Sequence, residues 1–315
     1  MNRLLSGYVA CMMISCMGPD QETLVDELRV MAIQTEPAEI QLRDFAPDES
    51  GVVDAPVINV VVADPLESGY QVAIWPCTNF GEGCEERKVF EDTPEAWVEL
   101  IEGTDTLVTV PVLNNPLWGA LLSQSPTPDV PVSITSIFVL ACAPAVCVEI
   151  QNALNGNWNL DKFANPLDWI SKLPLEGSSM AIKQLPVSNG MTDDTRLKNP
   201  TLIPLFDLEE PLTVSGVDPT VLPFEITLFQ QDAGVASIFG YTTLGGFDRN
   251  VFANNGLKMA ELEPAERSIN WYAGEAEPGV ADLFVIVEDG LGGTGVWLGS
   301  GSVVEDSSTN ETATE

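Results

Sequence analysis

Short β-rich runs, each closed by Gly, Pro or Asp, recur along the chain. The first, residues 28–33 (LRVMAI), ends before Glu36-Pro37. Residues 57–62 and 70–75 follow, separated by Asp64-Pro65 and Ser68-Gly69, and then 106–112 and 132–141. Runs of this length rich in Val, Ile and Thr read as strands, and their spacing predicts an antiparallel sandwich rather than βαβ units. Residues 94–101, 116–124, 148–154 and 166–173 carry helix formers, most of them opening at a proline, and predict short helical insertions. A strand returns at 180–187 (MAIKQLPV).

The polar stretch 188–200 (SNGMTDDTRLKNP) is the clearest boundary in the chain. From Leu212 the strand pattern resumes at 212–214, 224–229, 237–243, 269–273, 282–288 and 296–304. The segment ADLFVIVEDGLGGTGVW reads as a buried strand, a glycine-rich turn and a second strand. A chain of 315 residues suits about two domains. The expected division is a first sandwich at 24–187, a linker at 188–210, a second sandwich at 211–304 and an acidic tail at 305–315.

Composition narrows what these domains do. The chain holds 13 basic and 47 acidic residues, a formal charge of −34. Such a field repels phosphate backbones and anionic headgroups, which argues against nucleic acid as a partner. Hydrophobic residues make up 45% of the chain, enough for packed cores. The chain has no histidine, which removes Ser-His-Asp and Cys-His catalysis and histidine metal ligation together.

The N-terminus has its own pattern. MNRLLSGYVACMMISC carries one charge, Arg3, then an apolar run too short to span a bilayer, then Met-Ile-Ser-Cys. This is the make-up of a signal peptide at 1–15 whose last residues resemble a bacterial lipobox, with Cys16 as the lipidated residue and 16–23 as a tether. Met17, rather than an aspartate, after the cysteine is compatible with outer-membrane sorting. The expectation is an exported lipoprotein that reaches the membrane through its anchor.

Four further cysteines, Cys77, Cys84, Cys142 and Cys147, are an even set in an exported chain and read as two disulfides. Three pairings are open, and the local ones, Cys77 with Cys84 and Cys142 with Cys147, are favoured. A four-cysteine zinc site fits these spacings poorly.

The order DELRVMAIQTEP, a strand closing in WPC, LACAPAVC, LPLEGSSMAIKQLPVS, KNP and LFVIVEDGLGGTGVW resembles a group of predicted envelope lipoproteins of Gram-negative bacteria. The resemblance implies an exported, lipid-anchored protein of mainly β class, with two immunoglobulin-like β-sandwich domains, the first carrying helical insertions. The last segment also resembles the closing strands of PKD-like modules. The group brings no active-site residues.

Other constellations give way to simpler readings. Gly290-Leu291-Gly292-Gly293-Thr294-Gly295 matches G-x-G-x-x-G, but VWLGSGSVV follows where a nucleotide site needs a helix, so a hairpin turn and no nucleotide is expected. Acidic pairs at Glu85-Glu86, Asp193-Asp194 and Glu209-Glu210 suit a solvated surface better than a carboxylate-pair hydrolase. The loop 44–49 offers oxygen ligands without an EF-hand pattern. Ser300 lacks the first glycine of a nucleophile elbow. Of seven tryptophans, Trp158 and Trp297 have the polar or glycine neighbours of a glycan-stacking surface. The sequence therefore predicts a non-enzymatic envelope protein without cofactor or metal, with an envelope protein or a glycan as partner. A carbohydrate-binding or adhesive module is the alternative.

Overall fold

The computed structural model describes residues 23–41, 44, 56–77, 101–103, 106–111, 132–157, 176–188, 196–215, 218–228, 237–247, 251–252, 268–289 and 292–305. For 75–77, 101–103, 111, 132–136, 138, 151–157 and 251–252 the backbone alone is described. In chain order the strands are β1 (Arg29–Glu36), β2 (Ile40–Gln41), β3 (Val57–Ala63), β4 (Tyr70–Cys77), β5 (Ile101–Gly103), β6 (Leu107–Pro111) and β7 (Val132–Cys142). Helix α1 (Pro144–Asn157) follows, and then β8 (Ser178–Ser188), β9 (Thr201–Pro204), β10 (Leu212–Ser215) and β11 (Thr220–Thr227). The last six are β12 (Ser237–Thr242), β13 (Gly246–Phe247), β14 (Val251–Phe252), β15 (Ser268–Tyr272), β16 (Gly279–Glu288) and β17 (Thr294–Val304).

The class is mainly β, and the described strands form four sheets. Sheet I has the order β2-β8-β7-β4-β5 and sheet II β1-β3-β6, both from residues 29–188. Sheet III is β10-β17-β16-β12-β14 and sheet IV β13-β15-β11-β9, both from residues 201–304. Pairing is antiparallel with two short exceptions, β10 beside β17 and β2 beside β8, which run parallel.

Two strands explain how the sheets stack. Successive side chains on a strand point to opposite faces, so a strand covered on one side alternates and a strand covered on both does not. In β3 (VINVVVA), Ile58, Val60 and Val62 enter a core with Val72, Ile137, Val139 and Leu185 of sheet I. Its alternate residues, Val61 and Ala63, enter a second core with Ala32, Tyr241, Phe284 and Ile286. In β16, Leu283, Val285 and Val287 face Leu222, Phe224 and Trp271 of sheet IV, while Phe284 and Ile286 face sheet II. The sheets therefore lie in the order I, II, III, IV. Helix α1 covers the outer face of sheet I through Val146, Cys147 and Ile150, which meet Ala73, Leu140 and Met180. The two halves of the chain share a core of their own. Each large apolar side chain buried there contributes about 1.5–3 kcal/mol.

Several expectations shift. The sequence places a strand at 132–141 and a helix beginning at 148. Instead β7 ends at Cys142 and the helix opens at Pro144, where the missing N–H costs nothing in a first turn. Residues 116–124, 158 and 166–173 lie outside the described residues, as do 94–100, and Ile101 opens β5. The expected linker 188–210 contains β9, which pairs antiparallel with β11, because Leu202 packs inward on the core between sheets III and IV.

The strand directions give the stack two ends. At one end lie the turns from β3 to β4, from β12 to β13 and from β15 to β16, together with Val304. The described chain begins there too: Thr242 N donates to Thr23 O at 2.9 Å and Val25 N donates to Thr242 O at 2.8 Å. Residues 23–25 thus ride on sheet III before the chain crosses into β1 of sheet II. Arg29, at the start of β1, lies 5.6 Å from the centre of the Tyr241 ring and adds a cation–π contact between the halves. At the opposite end lies the glycine-rich turn between β16 and β17.

Candidate functional site

That turn is the hairpin expected of GLGGTG. Gly293 N donates to Asp289 Oδ1 at 2.8 Å, and Gly292 takes a φ of +105°, open to glycine at little cost. No helix follows; β17 does. The residue after the turn, Thr294, is the hub of the polar contacts at this end. Its N donates to Asn199 Oδ1 at 3.0 Å. Its carbonyl accepts from Gln34 Nε2 at 2.8 Å, and its hydroxyl accepts from Lys183 Nζ at 2.5 Å. Asn199 Nδ2 in turn donates to Thr35 O at 2.7 Å and to Glu36 Oε2 at 3.0 Å. One threonine thus ties sheet III to β1, to β8 and to the segment leading into β9. Gly295 lets that segment come close, since a side chain there would meet the Pro200 carbonyl.

Lys183 is the unusual charge of this junction. Burial pulls its ammonium down to a pKa of about 8, against the opposing pull of Glu288 and Asp289. A hydroxyl beside a lysine of lowered pKa has the elements of a nucleophile and its base. Thr294 is, however, only 1% exposed, and its backbone pairs with Glu288 in the sheet. The pair joins layers.

A second joint lies nearby on β2 and β8. The buried Glu39 accepts from Ser188 Oγ and, at 3.3 Å, from Gln41 Nε2. Its other oxygen accepts from Leu197 N at 3.0 Å, and its carbonyl accepts from Arg196 Nε at 3.1 Å. Arg196 also pairs with Asp44 at 2.5 Å, and Asp44 accepts from Gln41 N at 2.7 Å. Asp44, singled out for its oxygen ligands, is therefore engaged by a guanidinium. Sequence reasoning missed Thr294, Lys183, Glu39 and Asn199. The available signal was a lone charge inside an apolar strand, as in MAIKQL and PAEIQL.

At the opposite end two further groups feel the contact between the halves. Burial pushes the Asp282 carboxyl up, helped by Glu67 of the β3–β4 turn. Burial likewise raises the Tyr241 phenol, opposed by Arg29 and assisted by Glu288.

The other expected site residues are distributed as follows. Cys142 and Cys147 form a disulfide with a Cα–Cα distance of 5.3 Å, fixing the end of β7 to the first turn of α1. Both cysteines are buried. Replacing both by alanine is expected to lower stability by about 2 kcal/mol, the loop-closure value for a loop this short, read as a drop in the urea midpoint. An unchanged midpoint would mean that the helix holds its place without the bridge. Cys16, Cys84 and Trp158 lie outside the described residues, as does the side chain of Cys77. Trp297 is half-buried, edge-on to Phe206 at 5.6 Å and to Phe224 at 5.4 Å. Its ring belongs to the core between sheets III and IV rather than to a stacking platform. Glu209 and Glu210 are exposed, and the pairs at 85–86 and 193–194 lie outside the described residues. Among the described residues no group of three or more acidic or cysteine side chains is gathered to hold a metal.

No protein-family profile matches the chain, and no curated protein matches it. Among solved structures, the native conformation of E. coli alpha-2-macroglobulin matches at 10% identity and a TM-score of 0.22, over 91% of this chain and 17% of that one. The three N-terminal domains of the bacteriophage RB49 Highly Immunogenic Outer Capsid protein match at 11% identity and a TM-score of 0.19, over 88% of this chain and 59% of that one. A structure described for host cell surface retention of a 1.5-MDa bacterial ice-binding adhesin matches at 11% identity and a TM-score of 0.21, over 91% of this chain and 66% of that one. The chain thus spans less than two thirds of each of these proteins. At these scores none of their roles carries over to this chain.

Proposed function

We propose that this protein is a lipid-anchored component of a bacterial envelope, held at Cys16, whose stacked sheets serve as a structural or binding body without catalysis. The observation that carries the non-catalytic part is the use made of its buried polar groups. Lys183 and Thr294 are spent on joining sheet I to sheet III, Glu39 on fixing β8 and the segment before β9, and Asp289 on closing the turn between β16 and β17. The absence of histidine from the whole chain supports the same reading. The anchor rests on the lipobox-like Met-Ile-Ser-Cys after a short apolar run. Acyl chains on one residue can hold a protein at a bilayer, each buried CH2 contributing about 0.8 kcal/mol.

The experiment is Cys16→Ser in the full-length chain, expressed in a Gram-negative host fed labelled palmitate. The wild type is expected in the membrane pellet with label, and the variant unlabelled and outside the pellet. A variant that pellets like the wild type would remove the anchor from the proposal.

A further inference from the structure

We infer that the end of the sheet stack at which Thr23 docks is the face turned to the lipid bilayer. The inference rests on the anchor reading above and goes beyond it by giving the body an orientation.

Three observations meet there. The first is reach. Six residues separate Cys16 from Thr23, so at full extension the gap closes to roughly 25 Å at most. Thr23 itself is fixed to the body. Its carbonyl accepts from Thr242 N, and its hydroxyl accepts from Phe247 N at 3.0 Å. Chains lodged in a bilayer at Cys16 would hold this end, and not the Thr294 end, against the headgroups. Val280 and Glu288 are eight residues apart on β16, so the Thr294 end lies about 26 Å farther along the strands.

The second observation is where the exposed apolar side chains fall. Eleven large hydrophobic residues are exposed among those described, and five of them gather at the Thr23 end. Leu24 bridges to Thr242, and Leu107 opens β6 opposite Val61. Leu66 sits in the β3–β4 turn, whose Glu67 is close enough to Asp282 to act on its charge. Val280 precedes Asp282 by two residues on β16, and Val304 follows Val303, the partner of Gly279. Leu66 and Val280 protrude most, at 74% and 76% exposure. Among the described residues, none of the eleven lies in the turn between β16 and β17 at the other end, where Thr294 and Asp289 are buried.

The third is charge. Glu67, Glu277 and Asp282 stand among these apolar residues, and Arg29 at this end is engaged with Tyr241. Among the described residues this face has no basic patch to draw it to anionic lipid, so the covalent anchor must bring it there. The occupant that fits is a bilayer reached through the tether, with scattered apolar side chains entering its interface.

The test uses full-length, lipidated protein in phosphatidylcholine vesicles. A benzophenone amino acid replaces Leu66, Val280 or, at the other end, the exposed Thr201. Illumination is expected to give lipid adducts at Leu66 and Val280 several-fold above those at Thr201. Equal yields at the three positions, or the reverse order, in protein that floats with the vesicles would overturn the orientation and leave the anchor standing. Protein that does not float with the vesicles would overturn the anchor, and the orientation with it.

Discussion

Trp271→Ala is expected to cost about 3–5 kcal/mol, more than most single changes in this fold. The indole is fully buried between sheets III and IV, and its Nε1 donates to Leu244 O at 3.1 Å, so truncation leaves a cavity and removes one of two hydrogen bonds to that carbonyl, the other coming from Thr242 Oγ1 at 2.8 Å. The same ring explains one glycine of β17. A side chain at Gly301 would collide with the Trp271 six-membered ring. Gly301→Val alone is therefore expected to destabilise by overpacking, by about 1–3 kcal/mol or more. In the Trp271→Ala background the valine instead enters the space the ring has left. The double variant should be more stable than the sum of the two losses predicts, by about 1 kcal/mol or more. Urea unfolding of the four proteins measures this. Strict additivity would mean that ring and glycine are not in contact.

Lys183→Met is expected to change stability by an amount that depends on pH. In the folded protein Lys183 gives up its proton near pH 8, and in the unfolded chain near 10.5. Between those values the unfolded chain binds more protons, so the wild type gains stability as pH rises through this window. The full gain amounts to about 3 kcal/mol. Methionine has no proton to release. The stability of the wild type minus that of the variant should therefore grow from pH 7.5 to pH 10.5, measured by urea titration at a series of pH values. A difference that stays flat across this window would mean that water reaches the ammonium in the folded state.

The strands were legible because their chemistry is local. LRVMAI, VINVVV and LFVIV each hold enough β-branched or aromatic residues to name the element, and each was found within a few residues of its expected bounds. The stacking was written in the same residues but is harder to read. The unbroken VVVA and LFVIV record strands covered on both faces, without saying by which sheet. The start of α1 was misjudged because LACAPAVCV is apolar throughout and has no helical period. Only Pro144 and the bridge from Cys142 to Cys147 mark where strand becomes helix. The polar joints could not be foreseen. Lys183 and Thr294 are 111 residues apart, and nothing near either one names the other. Trp297 looked accessible from its glycine neighbours, yet those neighbours are small so that rings can lie against the strand.

The double burial of sheet II also has a consequence in time. Chains are made from the N-terminus, and strand pairs far apart in sequence close slowly. Sheets I and II are complete once residue 188 has emerged, but Ala32, Val61 and Ala63 must wait for Phe284 and Ile286. Until then the half-made molecule carries a bare apolar wall flanked by β1 and β6, the two outer strands of sheet II. That wall is the natural holding point for a chaperone, and the place where two unfinished chains would most readily stick together.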